Sequence, residues 1–202
     1  MKTARYKIAL IVLAFLLFCV LLSSCNKGNS ESSDLLSFSD ETTAAAQLVA
    51  EANEDLNKIK VKYKENEVKR EDLKDAMKSN DSEKVKKVAD DLVYLINDGM
   101  ALGEDAIGKI SKAQEMSINP DFKEYLNLKE LSLQKQMEAF ENYRQAARFL
   151  RDSYNPKDEK QRETVKAEFA KRDDNFHKIM DEAKDYSKQA NDLAKESAKR
   201  SN

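Results

Sequence analysis

Apolar residues in this chain form one unbroken run near the amino terminus and then four long stretches in which they recur every three or four positions. In the first stretch Ala45, Val49, Ala52, Leu56, Ile59 and Tyr63 follow one another in steps of four and three, and Leu73 and Met77 resume the same count. That spacing places them on one face of a helix over about 41–78. Asn66 and Arg70 stand in the same stripe where apolar residues are due. Ser79-Asn80-Asp81-Ser82 then breaks the pattern and offers capping side chains.

A second helix is predicted over about 82–117, with Val85, Val88, Leu92, Leu95, Leu102, Ala106, Ile110 and Ala113 on its face and Ile96, Met100 and Ile107 widening it. Gly99, Gly103 and Gly108 fall inside it. Each costs about 1 kcal/mol relative to alanine in a helix interior. Close approach of a neighbouring helix over Gly99 and Gly103 accounts for that cost; a bend, or a break into two helices, are the alternatives.

Asn119-Pro120-Asp121 is a stop and restart, with asparagine suited to an N-cap and proline to the first helical position. The third stretch, about 120–154, repeats Leu126, Leu133, Phe140, Ala147 and Tyr154 at strict sevens, flanked by Met137, Tyr143 and Leu150. Asn155-Pro156 reuses the same device. The fourth helix is predicted over about 156–198 on Val165, Phe169, Phe176, Ile179, Ala183, Tyr186, Ala190 and Leu193, with Arg172 as the charged residue in the seam.

Four long helices joined by short loops predict an all-α fold over 41–200. The arrangement expected is an elongated antiparallel up-down-up-down four-helix bundle with coiled-coil-like packing. A pair of extended hairpins that need a second chain is the alternative. The monomeric bundle is favoured, because about 160 residues suffice for one domain with its own core.

Charged residues make up 36% of the chain, with both signs interspersed. That describes a solvated helical surface and not the clustered lysine and arginine of a nucleic-acid footprint. Four glycines, two prolines and no tryptophan suit a helical protein.

The amino-terminal run changes the picture. Lys2, Arg5 and Lys7 precede an almost wholly apolar Ile8–Leu22. At about 15 residues the run has the length of a signal-peptide core and falls short of the roughly 20 that span a bilayer. Leu22-Ser23-Ser24-Cys25 closes it. This stretch resembles the lipobox of bacterial lipoproteins, and the resemblance covers residues 1–25. It implies a signal peptide, 1–24, removed by cleavage, and a diacylglyceryl thioether on Cys25. An ordinary signal peptide with an incidental cysteine, or an uncleaved anchor, are the alternatives. Cys19 lies within the apolar run and would leave with the signal, so the mature chain would have a single cysteine and no disulfide. Its charge would fall from −2 to about −5 with the loss of the three basic residues. Residues 25–40, rich in Ser, Asn, Asp and Glu, read as a flexible tether. The alternative there is a partly ordered lead-in placing Leu35 and Phe38 on the bundle. Asn26 stands where an aspartate would retain a lipoprotein in the inner membrane, which favours the outer membrane or cell surface.

Catalytic chemistry finds little support. A di-iron bundle needs two Glu-x-x-His motifs, and this chain has one histidine, His177, preceded by Asp174 in a single Asp-x-x-His. His177 follows Phe176 of the stripe and is expected at the surface; a ligand or pH sensor is the alternative. No nucleophile–histidine arrangement and no glycine-rich phosphate loop is present. No enzyme activity, cofactor or metal is expected. Arg70 and Arg172 are expected to reach out of the bundle edge or pair with carboxylates, and Asn66 to pin register. The sharper alternative at these positions is a local opening between helices that receives a partner or ligand. The expected function is that of a membrane-anchored envelope lipoprotein whose bundle binds another envelope protein or braces an assembly. The rival is a carrier that opens around a hydrophobic ligand.

Overall fold

The computed structural model describes residues 41–200, which form four α-helices: α1 (Thr42–Lys78), α2 (Ser82–Gln114), α3 (Pro120–Ser153) and α4 (Glu159–Arg200). Each helix packs along the next, making a four-helix bundle. At about 1.5 Å per residue the helices are about 50–60 Å long. Cross-helix bonds record the direction of each pair. Asp55 meets Lys109 at 2.5 Å, Lys62 meets Asp98 at 3.1 Å and Lys69 meets Asp91 at 2.8 Å. Between α2 and α3, Asp90 pairs with Arg151 and Asn97 with Arg144, both at 2.8 Å. Between α3 and α4, Asp121 pairs with Arg200 at 2.8 Å and Asn142 with Asn175 at 2.9 Å. In every pair the partner's number falls as the first helix's number rises, so each helix turns back along the one before it.

Local chemistry sets the ends. Asp81 Oδ1 accepts from the Lys84 N–H at 3.0 Å and Asn119 Oδ1 from the Phe122 N–H at 2.8 Å, with Pro120 in the first turn of α3. Two boundaries differ from expectation. α2 stops at Gln114 and not near 117, because Glu41 takes the Ser117 backbone out of the helix. The Ser117 N–H donates to the Glu41 carboxylate at 2.7 Å, and the Glu41 N–H donates to the Ser117 carbonyl at 3.1 Å. α4 begins at Glu159 and not at Pro156, because Asp158 is its cap, accepting from the Gln161 N–H at 3.0 Å. Asn155 instead closes a small turn around Pro156 through the Lys157 N–H at 3.0 Å. α2 runs unbroken through its glycines, which removes the two-helix alternative.

The core follows the stripes. Leu126, Leu133, Phe140, Ala147 and Tyr154, the residues at sevens, are all buried, as are Met137, Tyr143 and Leu150. It divides into two clusters of different character. One holds the aromatic residues Phe140, Tyr143, Phe169 and Phe176 together with Leu73, Val85, Leu92 and Leu150. The other, at the end where Glu41 meets Ser117, is built on Ala45, Ala52, Ala106, Ala113, Ile110, Leu126 and Leu133. No helix among the described residues is long and apolar enough to cross a membrane.

Candidate functional site

The first and last helices are joined differently from the rest. α1 and α4 lack the extensive backbone approach that the three consecutive pairs share. Side chains span the seam between them, and the chief of these is Arg70.

The period of α1 turns Arg70 inward, and it is 6% exposed. Its guanidinium lies between two rings, 4.9 Å from the Tyr143 centroid and 4.9 Å from that of Phe176. An Nη2 N–H donates to Asp173 Oδ1 at 2.6 Å, and Nη2 also lies 2.8 Å from Nε2 of His177. An arginine has donors only, so His177 Nε2 is the acceptor there. Arg70 Nε is buried with no hydrogen-bond partner. Burial works against the charge, but Tyr143 and Asp173 more than offset it, and the guanidinium pKa is raised. Burial likewise pushes the Tyr143 phenol up, against the lowering effect of Arg70.

Of the two arginines expected to pair, Arg70 does so from inside the bundle and not from its edge. Arg172 behaves as a rim residue: it pairs with Glu168 at 2.9 Å, one turn back, and covers the Phe149 ring at 5.3 Å. The charge within the α4 face is therefore Asp173, whose side chain is 15% exposed, and not Arg172, at 33%. His177 is exposed, as the sequence implied. The carboxylate that faces it across the clasp is Asp173, at 3.9 Å, and not the Asp174 of the Asp-x-x-His spacing. Asp173 had a readable signal: it stands four residues after the stripe residue Phe169.

Asn66 is buried one turn before Arg70. With Gly99, Tyr63, Ile96 and Phe140 it lines a void of about 10 Å³. A Cβ on Gly99 would meet nothing within 4 Å, so this glycine borders space and makes no close approach. Gly103 fits the close-approach reading, since a Cβ there would collide with Met137 Sδ of α3. The side chain of Met137 occupies the room that Gly103 leaves.

Beyond Arg70, towards the α1–α2 turn, the seam opens. Lys74, Met77 and Lys78 of α1 and Lys166, Phe169, Ala170 and Asp173 of α4 line a groove of about 290 Å³. The Arg70–Asp173 bond bounds one end. The other end is bounded by Asn80, whose Oδ1 accepts from Lys166 Nζ at 3.0 Å and from the Tyr154 hydroxyl at 3.1 Å. Asn80 adopts a left-handed conformation, φ 55°, at the turn, a region that asparagine tolerates better than most residues. The groove thus has an apolar floor of Met77 and Phe169 beneath three ammonium groups. Such a surface can bind an amphipathic anionic partner. Among the described residues, no three His, Cys, Asp or Glu side chains group to hold a metal ion. Cys25 and the proposed tether, 25–40, lie outside the described residues.

No protein-family model matches the sequence, and neither a curated protein nor a solved structure resembles it at a significant level.

Proposed function

We propose that this protein is a lipid-anchored bacterial envelope protein whose four-helix bundle docks another envelope protein and performs no catalysis of its own. The observation that carries the docking role is the α1–α4 groove: an apolar floor under Lys74, Lys78 and Lys166, in the one neighbouring seam that side chains bridge and backbone does not close. The Leu22-Ser23-Ser24-Cys25 pattern supports the anchor. Two or three acyl chains on Cys25 would hold the bundle at a membrane stably, where one alone would bind only marginally.

The two halves of the reading are tested separately. In cells fed a labelled fatty acid, the wild-type chain takes up label and Cys25→Ser takes up none and accumulates as precursor; unchanged labelling of the mutant overturns the anchor. Crosslinking in intact cells then reports the docking, with one stoichiometric envelope protein expected and a chain that crosslinks to nothing as the contrary result. The apolar floor also favours a carrier of a hydrophobic ligand as second reading, which lipid co-purifying with the protein in stoichiometric amount would support.

A further inference from the structure

The groove has a length, a charge and a spacing of its lysines, and together these narrow its occupant. We propose that it receives an acidic amphipathic helix of a partner protein, about three turns long, with its apolar face on Met77 and Phe169 and its carboxylates among Lys74, Lys78 and Lys166. This rests on the docking reading above and names the partner's chemistry.

Length comes from the two bridges. Arg70 and Asn80 lie about ten residues apart, which is about 15 Å along a helix, or close to three turns. Helix-in-groove recognition uses anchors at i, i+3, i+4 and i+7, which fit that span. The volume of about 290 Å³ takes the side chains of one helix face and not a whole helix.

Charge comes from the rim. The side chains of Lys74, Lys78 and Lys166 are 42%, 76% and 25% exposed. Each has a carboxylate on or beside its own helix turn: Glu71 at 3.8 Å, Asp75 at 3.1 Å and Glu163 at 3.2 Å. Solvated pairs of this kind contribute about 0–1 kcal/mol, so a partner's carboxylates can replace them at little cost. Asp173, the carboxylate lining the groove, is held by Arg70 at 2.6 Å. Glu71, Asp75 and Glu163 do not line the groove, so the side chains facing a partner are three lysines and the one carboxylate that Arg70 holds.

Spacing favours a protein over a lipid headgroup. Lys74 and Lys78 stand one turn apart on α1, with Lys166 on α4 lining the same groove. A helix can present carboxylates on successive turns to meet them; a single headgroup presents its charge at one point.

The test uses the full-length chain in zwitterionic lipid nanodiscs and two stapled three-turn helical peptides, both with a leucine stripe, one flanked by glutamates and one by lysines. Fluorescence polarisation should show the glutamate peptide binding at least tenfold more tightly. The triple variant Lys74→Glu, Lys78→Glu, Lys166→Glu should reverse that preference with its helical circular dichroism intact; if it does not fold, Lys78→Glu alone should weaken binding of the glutamate peptide severalfold. Equal binding of the two peptides, a preference untouched by charge reversal, or displacement of the peptide by oleate or anionic vesicles overturns the proposal. In intact cells, a photo-reactive residue at Ala170 should crosslink to a carboxylate-rich apolar segment of one protein. Capture of a second copy or of lipid from Ala170 overturns it. Capture from Val61, which is 56% exposed, with none from Ala170 also overturns it while leaving the docking role in place; no capture from either position removes both.

Discussion

Removing the Arg70 guanidinium should cost the bundle a large share of its stability. Arg70→Ala strips the partner from Asp173, whose side chain is 15% exposed, and empties the space between Tyr143 and Phe176. Deleting one member of a buried pair costs about 3–5 kcal/mol, because the other charge is left uncompensated. The arginine itself is poorly satisfied, with Nε unpaired in the interior, and an unmet buried donor costs about 1–3 kcal/mol. Replacing both partners should therefore restore most of the loss: Arg70→Met with Asp173→Leu should fall within about 1–2 kcal/mol of wild type. With a urea slope of about 2 kcal/mol/M, Arg70→Ala moves the midpoint down by about 2 M and the double substitution by 1 M or less. Urea unfolding of Arg70→Ala and of the four proteins of the cycle (wild type, Arg70→Met, Asp173→Leu and the double substitution), followed by circular dichroism, measures this. A loss below about 1 kcal/mol for Arg70→Ala would match a solvated surface pair and refute the reasoning. So would additive effects of the two single changes.

The two buried glycines of α2 should respond with opposite sign. Gly99→Ala should stabilise by about 1 kcal/mol, the helix propensity gain, since its Cβ meets nothing within 4 Å. Gly103→Ala must displace Met137 and should cost about 1–3 kcal/mol; equal gains in melting temperature for both would contradict the packing described. At Asp55, Lys109 first and Lys58 second hold the carboxyl below the usual carboxylate range. A depressed folded pKa contributes stability that is present above the unfolded value, about 4, and is lost as pH falls through it towards the folded one. The urea midpoints of wild type and Asp55→Asn should thus lie apart at pH 7 and converge towards pH 3, and a gap that does not narrow counts against the pairing. Asn80→Ala should lower stability by about 1–2 kcal/mol through its left-handed backbone and the lost Tyr154 and Lys166 bonds, whereas Asn80→Asp should lose less; thermal unfolding compares them.

The bundle was readable where a single helix carries its own instruction. The sevens of α3 and the Asn119-Pro120 restart are local patterns, and the structure keeps both. Asn66 and Arg70 were readable as members of the stripe, since period fixes the face, but Arg70 was expected to reach the bundle edge and is buried instead. Their partners were not. Asp173 and His177 lie 103 and 107 residues from Arg70, and no spacing along one helix links them. The start of α4 shows a competition of local signals: Asn155 and Asp158 both accept a backbone N–H, but Asn155 takes one two residues on and closes a turn, while Asp158 takes one three residues on and caps the helix. Gly99 and Gly103 look alike in sequence and differ because one faces a void and the other Met137. The opening between helices that stood as the alternative near Arg70 has its counterpart in the groove, whose extent depends on how far α1 and α4 stand apart, a property of four helices together.

The unequal ends of the core have a mechanical consequence. Ala45 and Ala52, beside Ala106 and Ala113, hold the end of the bundle at which Glu41 and Arg200 both lie. A pull on Glu41 loads that end first. Small side chains bury little apolar area, so α1 would peel away one turn at a time under low tension. Peeling would halt where Leu73, Phe169, Phe176 and the Arg70 clasp grip the helix. A bundle held by its amino-terminal side would then yield along about the first three quarters of α1 as a compliant spring and keep the groove, beyond the clasp, in its loaded shape.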